Sequence, residues 1–237
     1  MAGATLEQER FDETMAIFLS DTTSATNHAS ASCHEAEAIS DRDVMMRVCS
    51  LGNNCEIGFA QRACGAEPLD LFRWANTPVG LLAMMLKKKF DGIGDIEVDT
   101  LPHDYRIRHA EYRLKWHAFT NPAKVSVDEL LNRERRRLPF LARKLIDDIA
   151  EGQRLFVLKN AHPFDEALMA RILAAMDLFG RPTVMFVNDG APIRLEWAGE
   201  RIIRGSIPKF AHGGCVPRTT VSADWLTLCR QALTLMN

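Results

Sequence analysis

Residues 154–188 constrain the fold most. "RLFVLKN" and "TVMFVN" are short and almost wholly apolar, and "FDEALMARILAAMDLFG" between them has the spacing of an amphipathic helix. A strand that is apolar on both faces must be covered on both, as in parallel sheets flanked by helices. Parallel neighbours cannot be joined by a tight turn, and a helix is their usual crossover. The segment therefore predicts an α/β domain with a mixed, partly parallel sheet and helices on both faces. "VMMRVCS" (Val44–Ser50) predicts a further buried strand, stopped by the Gly-Asn-Asn turn that follows.

The remaining elements are read from caps and periodicity. "CEIGFAQRAC" has helical spacing, with Gly65 to close it. "TPVGLLAMMLKKKF" predicts a helix with Thr77 as N-cap and Pro78 in the first turn. "YRIRHAEYRLKWHAF" alternates polar and apolar residues and predicts one or two strands. "SVDE" (Ser126–Glu129) is a capping box opening a helix to Ala150, with Pro139 expected to kink or interrupt it and Gly152 to end it. "FDEALMARILAAMDLFG" should close at Gly180. "IRLEW" and "RIIRGSI" predict a hairpin, and "SADWLTLCRQALTLM" a helix capped by Ser222. Residues 1–43 are rich in Ser, Ala and Thr. They predict an extension, mostly disordered with one helix in "LEQERFDETMAIFL", before a single domain over 44–237.

Several function classes are disfavoured. A net charge of −2 gives no bulk attraction to nucleic acid. The longest apolar stretch, "PVGLLAMML", is too short to span a bilayer, and no signal peptide is evident. The six cysteines include no CxxC pair, which predicts reduced thiols in a cytoplasmic protein rather than a disulfide or zinc framework. No metal and no cofactor are expected. A phosphate cradle at "SLGNNCEIG" would use turn N–H groups, but the Walker lysine and the full GxGxxG are absent. A sugar-nucleotide enzyme would rest on α/β architecture alone, without a DxD-like motif.

Chemistry concentrates in "SLGNNCEIG" (Ser50–Gly58). Cys55 stands between a strand end and a helix start, where backbone N–H groups and the helix dipole favour a thiolate and an oxyanion. The bland alternative is a thiol packed beneath a tight turn. A nucleophilic cysteine needs a base, and the candidates are His103, His109, His117, His162 and His212, with His28 and His34 in the N-terminal region. An orienting group could be Asn160, Asp165 or Asp189, and a side-chain oxyanion donor Asn54 or Gln61. "EPLDLFRWANTP" offers Arg73 for an anionic group, with Asp70 beside it, or else a buried Asp70–Arg73 pair with Trp74 in the core. "RERRR" (Arg133–Arg137) reads as a solvated helix face.

"VCSLGNNCEIGFAQR" followed by "GAEPLDLFRWANTP" resembles a group of bacterial proteins of unknown function that share SLGxNCE, a helix, then GAEPL. It is also similar to a family of unknown function described as papain-like cysteine peptidases. That family carries SLGxxC, a Pro-Phe-Asp-Trp segment, a His-bearing segment and an Arg-rich helix. The corresponding residues here are Ser50–Cys55, Pro68–Trp74, "KWHAFT" and "RERRRLPFLARKL", so the likeness runs from about Val44 to Trp225. It implies Cys55 as nucleophile and His117 as its partner, with a papain-like α+β arrangement as the alternative fold. Two features depart from it: Asp70 and Trp74 are four residues apart rather than adjacent, and "WHAF" replaces a His-Asp pair. The expectation is a cytoplasmic cysteine-dependent hydrolase or acyltransferase on a small-molecule or peptide substrate, with Cys55, His117 and Asn54 catalytic and Arg73, Asp70, Gln61 and Asn160 binding. The alternative is a non-catalytic module for a small anionic or sugar-like ligand.

Overall fold

The computed structural model describes residues 39–211 and 218–236. The expectations for residues 1–38, including His28 and His34, and for His212 lie outside the described residues. In chain order the elements are α1 (Asp41–Met46), β1 (Val48–Ser50), α2 (Glu56–Ala63) and β2 (Ala75–Asn76). A 3-10 turn (Val79–Leu81) then runs into α3 (Leu82–Lys87), followed by β3 (Glu97–Thr100), β4 (Tyr105–His109) and β5 (Leu114–His117). After these come α4 (Val127–Glu151), β6 (Leu155–Lys159), α5 (Glu166–Met176), β7 (Val184–Asp189), β8 (Arg194–Trp197), β9 (Ile202–Ile207) and α6 (Arg218–Leu235).

The chain builds two sheets. In the larger, β1, β6, β7 and β9 are parallel neighbours in that order, and β8 closes the edge antiparallel to β9. Side chains alternate across it. Leu155 and Val157 of β6 join a core with Ile57 of α2 and Trp225 and Leu228 of α6. Phe156 and Leu158 join the opposite core with Met85 of α3, Leu141 and Leu145 of α4 and Ile172 of α5. Helices thus cover both faces, as all-apolar strands require. The smaller sheet, ordered β2-β5-β4-β3, is antiparallel, inserted between α2 and α4, and was not foreseen as separate. Its inner face contributes Ala75, Ile107, Leu114 and Trp116 to the second core. Among the described residues no helix is long and apolar enough to cross a membrane.

Several local expectations need correction. "VMM" is not strand: Val44, Met45 and Met46 end α1, and β1 keeps only Val48–Ser50. The Ser40 hydroxyl accepts from the Asp43 N–H at 3.1 Å, so an N-cap three residues before the apolar run commits it to helix. Thr77 does not cap a helix either. Pro78 precedes the 3-10 turn, and the Thr77 hydroxyl is buried with no hydrogen-bond partner among the described residues. The capping box at Ser126–Glu129 is formed, and α4 runs through Pro139 without a break to Gly152. α5 ends at Met176, short of Gly180. Ser222 lies inside α6, which starts at Arg218.

Candidate functional site

Each residue of the Cys55 loop has a structural assignment. The Leu51 N–H continues the ladder to the Val157 carbonyl at 2.9 Å. Gly52 turns the chain at φ +101, and a Cβ there would lie 2.6 Å from Thr77 Cβ, so this position admits only glycine. Asn53, also left-handed at φ 80, donates its amide to the Lys159 carbonyl at 2.8 Å and ties the loop to the end of β6. Asn54 Oδ1 accepts from the Glu56 N–H at 2.9 Å, an Asx turn that leads into α2. Cys55 is the N-cap residue, half-buried, and its thiol donates to the Trp74 carbonyl at 3.3 Å. Gly58 permits this approach, since a Cβ on it would lie 2.6 Å from the Arg73 carbonyl oxygen and 2.8 Å from the Trp74 ring.

Glu56 and Lys159 were not singled out in the sequence, yet they form the buried polar centre behind Cys55. Lys159 Nζ is 2.7 Å from Glu56 Oε2, and Trp225 Nε1 donates to Glu56 Oε1 at 2.7 Å. The Ala211 N–H donates to Glu56 Oε2 at 3.3 Å, and Lys159 Nζ lies 4.1 Å from the Phe210 ring centroid. Burial draws the Lys159 amine below the usual lysine range, against the pull of Glu56 and of the nearby Cys55. All these groups sit at the carboxyl ends of β1, β6 and β9, where open parallel sheets carry their sites. An acidic residue directly after the cysteine and a lysine ending an apolar strand were the signals available.

His117 ends β5 and is oriented by Asp104. His117 Nδ1 lies 3.0 Å from Asp104 Oδ2, and the Thr120 N–H donates to Asp104 Oδ1 at 2.9 Å. Asp104 is buried, whereas His117 is partly exposed. A carboxylate on Nδ1 fixes the imidazole with Nε2 as its basic end. The carboxylate against His117 Nδ1 is Asp104, which the sequence reading did not name. The signal for it was register. Arg106 pairs with His117, so Asp104, two residues earlier, is the diagonal neighbour of His117 on the same face. A further chain of contacts supports Thr120, whose Oγ1 accepts from Arg133 at 3.1 Å. Arg133 and Arg137 also flank the buried carboxylate of Glu134. The "RERRR" run is therefore only partly a solvated face.

Trp74 brings the two halves together. Ala75 pairs with Trp116, and Trp74 and His117 are the next residues beyond that pair on the two chains. The Trp74 ring packs edge-on to Phe59 at 5.3 Å and to Phe119 at 4.9 Å, and the Phe119 ring lies 5.8 Å from His117. The Arg62 and Arg73 guanidiniums lie 4.5 and 4.6 Å from the Trp74 ring centroid. Phe119 holds φ 50, a strained value for a residue with a Cβ, at the edge of this cluster.

The other candidates have different employment. Arg73 is buried, paired with Glu67, and donates to the Ala66 carbonyl at 2.9 Å. Asp70 is buried against Arg154, at 2.6 and 3.1 Å, so the two halves of the expected Asp70–Arg73 pair each have another partner. Gln61 donates to the Val48 carbonyl at 3.0 Å, at the start of β1 and so away from the end that carries Cys55. Asn160 donates to the His162 carbonyl at 2.9 Å and Asn188 reaches the same carbonyl at 2.7 Å, which shapes the loop after β6. His109 is buried between the Gly92 carbonyl and the Tyr112 N–H. Cys49, Asp70 and Asp148 lie close enough to hold a cation, but Arg154 already bridges the two carboxylates and Lys144 joins Asp148. Burial raises the Cys49 thiol well above its usual range and pushes Cys229 up to about 12, which suits packing rather than attack. No family model, no curated protein and no solved structure matches this chain.

Proposed function

We propose that the chain is a cysteine-dependent acyl-transfer enzyme, a hydrolase or acyltransferase, with Cys55 as nucleophile, His117 as general base and Asp104 as the group that orients it. The observation that carries this reading is the His117–Asp104 hydrogen bond at 3.0 Å, on the strand that pairs with Ala75–Asn76 directly after Trp74, whose carbonyl accepts the Cys55 thiol. His117 Nε2 takes the thiol proton as the sulfur bonds to a carbonyl carbon. The oxyanion that forms meets α2 N–H groups and Asn54 Nδ2. His117 then gives its proton to the leaving group, and water or an acceptor nucleophile releases the acyl group. The unbridged thiols of Cys49, Cys64 and Cys229 support a reducing, cytoplasmic setting. The likeness to the papain-like family supports the same assignment of Cys55 and His117. The alternative, a binding module built on Arg73, has less support because that guanidinium is committed to Glu67 and backbone carbonyls.

A panel of chromogenic esters, thioesters and peptide amides tests this. Cys55→Ala should abolish turnover, and Asp104→Asn should lower kcat on the order of 10²–10⁴-fold while leaving the fold intact. Turnover that persists in Cys55→Ala, with electrophile labelling unchanged in that variant, would falsify the assignment.

A further inference from the structure

The outward face of the small sheet carries side chains in rows. One row contains His117, Arg106 and Asp99. The next contains Asn76, Lys115, Arg108 and Glu97. Successive rows on one face are about 7 Å apart. The second row borders a concavity of about 330 Å³, and Asn76, Arg108, Arg113 and Lys115 are among the residues that line it. Arg108 is already balanced by Glu97 at 3.0 Å and Asp99 at 2.7 Å. Glu111, the acid of the adjoining turn, is paired with Lys88. Arg113 and Lys115 have no carboxylate partner among the described residues. Lys115 also stands directly across the ladder from Arg108, and like charges so opposed destabilise a bare sheet. Arg113 is held at φ 53, in the left-handed region, at the rim.

We infer that this concavity is an oxyanion-binding site, taking a carboxylate or phosphate group on Arg113 and Lys115. Of its two cations, Lys115 lies one row from His117 on the sheet and Arg113, in the turn, lies two positions further back. Resting on the acyl-transfer reading, the site assigns the substrate class as an acyl compound whose anionic group lies roughly 7–13 Å along the sheet from His117, the spacing of Lys115 and Arg113 from that residue. Arg supplies a planar fork for either oxyanion and Lys a point charge beside it.

Calorimetric titration with inorganic phosphate and, separately, with succinate tests the site. The wild-type chain should bind at least one of them, and the tighter one identifies the group. The Arg113→Gln/Lys115→Gln double variant, altered at two turn and strand-surface positions, should bind about tenfold or more weakly. Equal affinity in both proteins, or none in the wild type, overturns the site. Labelling of Cys55, read from its peptide by mass spectrometry, tests the link to the nucleophile. The ratio of 3-maleimidopropionate to N-ethylmaleimide rates should exceed one in the wild type and fall by about tenfold in the double variant. An unchanged ratio overturns the substrate class. If Cys55→Ala keeps its turnover while phosphate or succinate binding persists, the acyl-transfer reading fails and the anion site stands.

Discussion

Glu56 carries more of the architecture than the cysteine before it. Its two oxygens hold Lys159, Trp225 and the Ala211 N–H, so one buried carboxylate joins the Cys55 loop to β6 and α6. Removing one member of a buried pair leaves the other uncompensated, at a cost of about 3–5 kcal/mol. Glu56→Gln should therefore lower the urea midpoint strongly, and adding Lys159→Met should recover part of the loss. Gly58→Ala is expected to cost about 1–3 kcal/mol by forcing α2 off the Arg73–Trp74 segment, and to speed thiol labelling at Cys55. At this scale Cys55 and His117 were visible from residue type and motif. Asp104 was not, because a carboxylate just before a strand has meaning only once the hairpin register is known. Glu56 and Lys159 were hidden for a related reason: a charge within an apolar stretch does not name its partner.

Among the elements, the capping box of α4 offers a direct pH test. Hydrogen bonds from the Ser126 backbone and hydroxyl hold the exposed Glu129 carboxyl below the usual glutamate range. A carboxyl depressed in the folded state adds stability above its unfolded pKa and loses it as pH falls through the folded one. Ser126→Ala should lower stability near neutrality, with the gap to wild type narrowing in acid as the Glu129 carboxyl protonates. Its NMR titration should show Glu129 returned toward the ordinary value. The crossover unit of β6, α5 and β7 was legible because an apolar run, an amphipathic helix and a second apolar run leave few arrangements. α1 was misread because a run such as "VMMRVC" does not distinguish strand from helix. The deciding contact is a single hydroxyl on Ser40, outside the run. Pro139 was expected to kink or interrupt α4; the helix runs through it without a break, with Leu138 and Leu141 beside it in the core.

At the scale of the molecule, the candidate residues come from two sheets. The parallel sheet supplies the Cys55 loop at its carboxyl edge, and the antiparallel insert supplies His117 and Asp104. Apolar patterning showed the first sheet. The second is built from short strands with charged outer faces, and its separation from the first depends on pairings that no local pattern encodes. Trp225→Phe keeps a ring in the core but removes the donor to Glu56. It should lower stability by about 1.5–3 kcal/mol and raise the labelling rate of Cys55, as measured by thermal unfolding and peptide mass spectrometry.

The Glu56–Trp225 bond spans 169 positions in sequence. During synthesis the Cys55 loop leaves the ribosome long before the indole that secures its neighbour, so the nascent chain carries the thiol loop without that bond while the intervening residues are made. Reactivity of Cys55 in stalled nascent chains should therefore fall only once α6 has emerged.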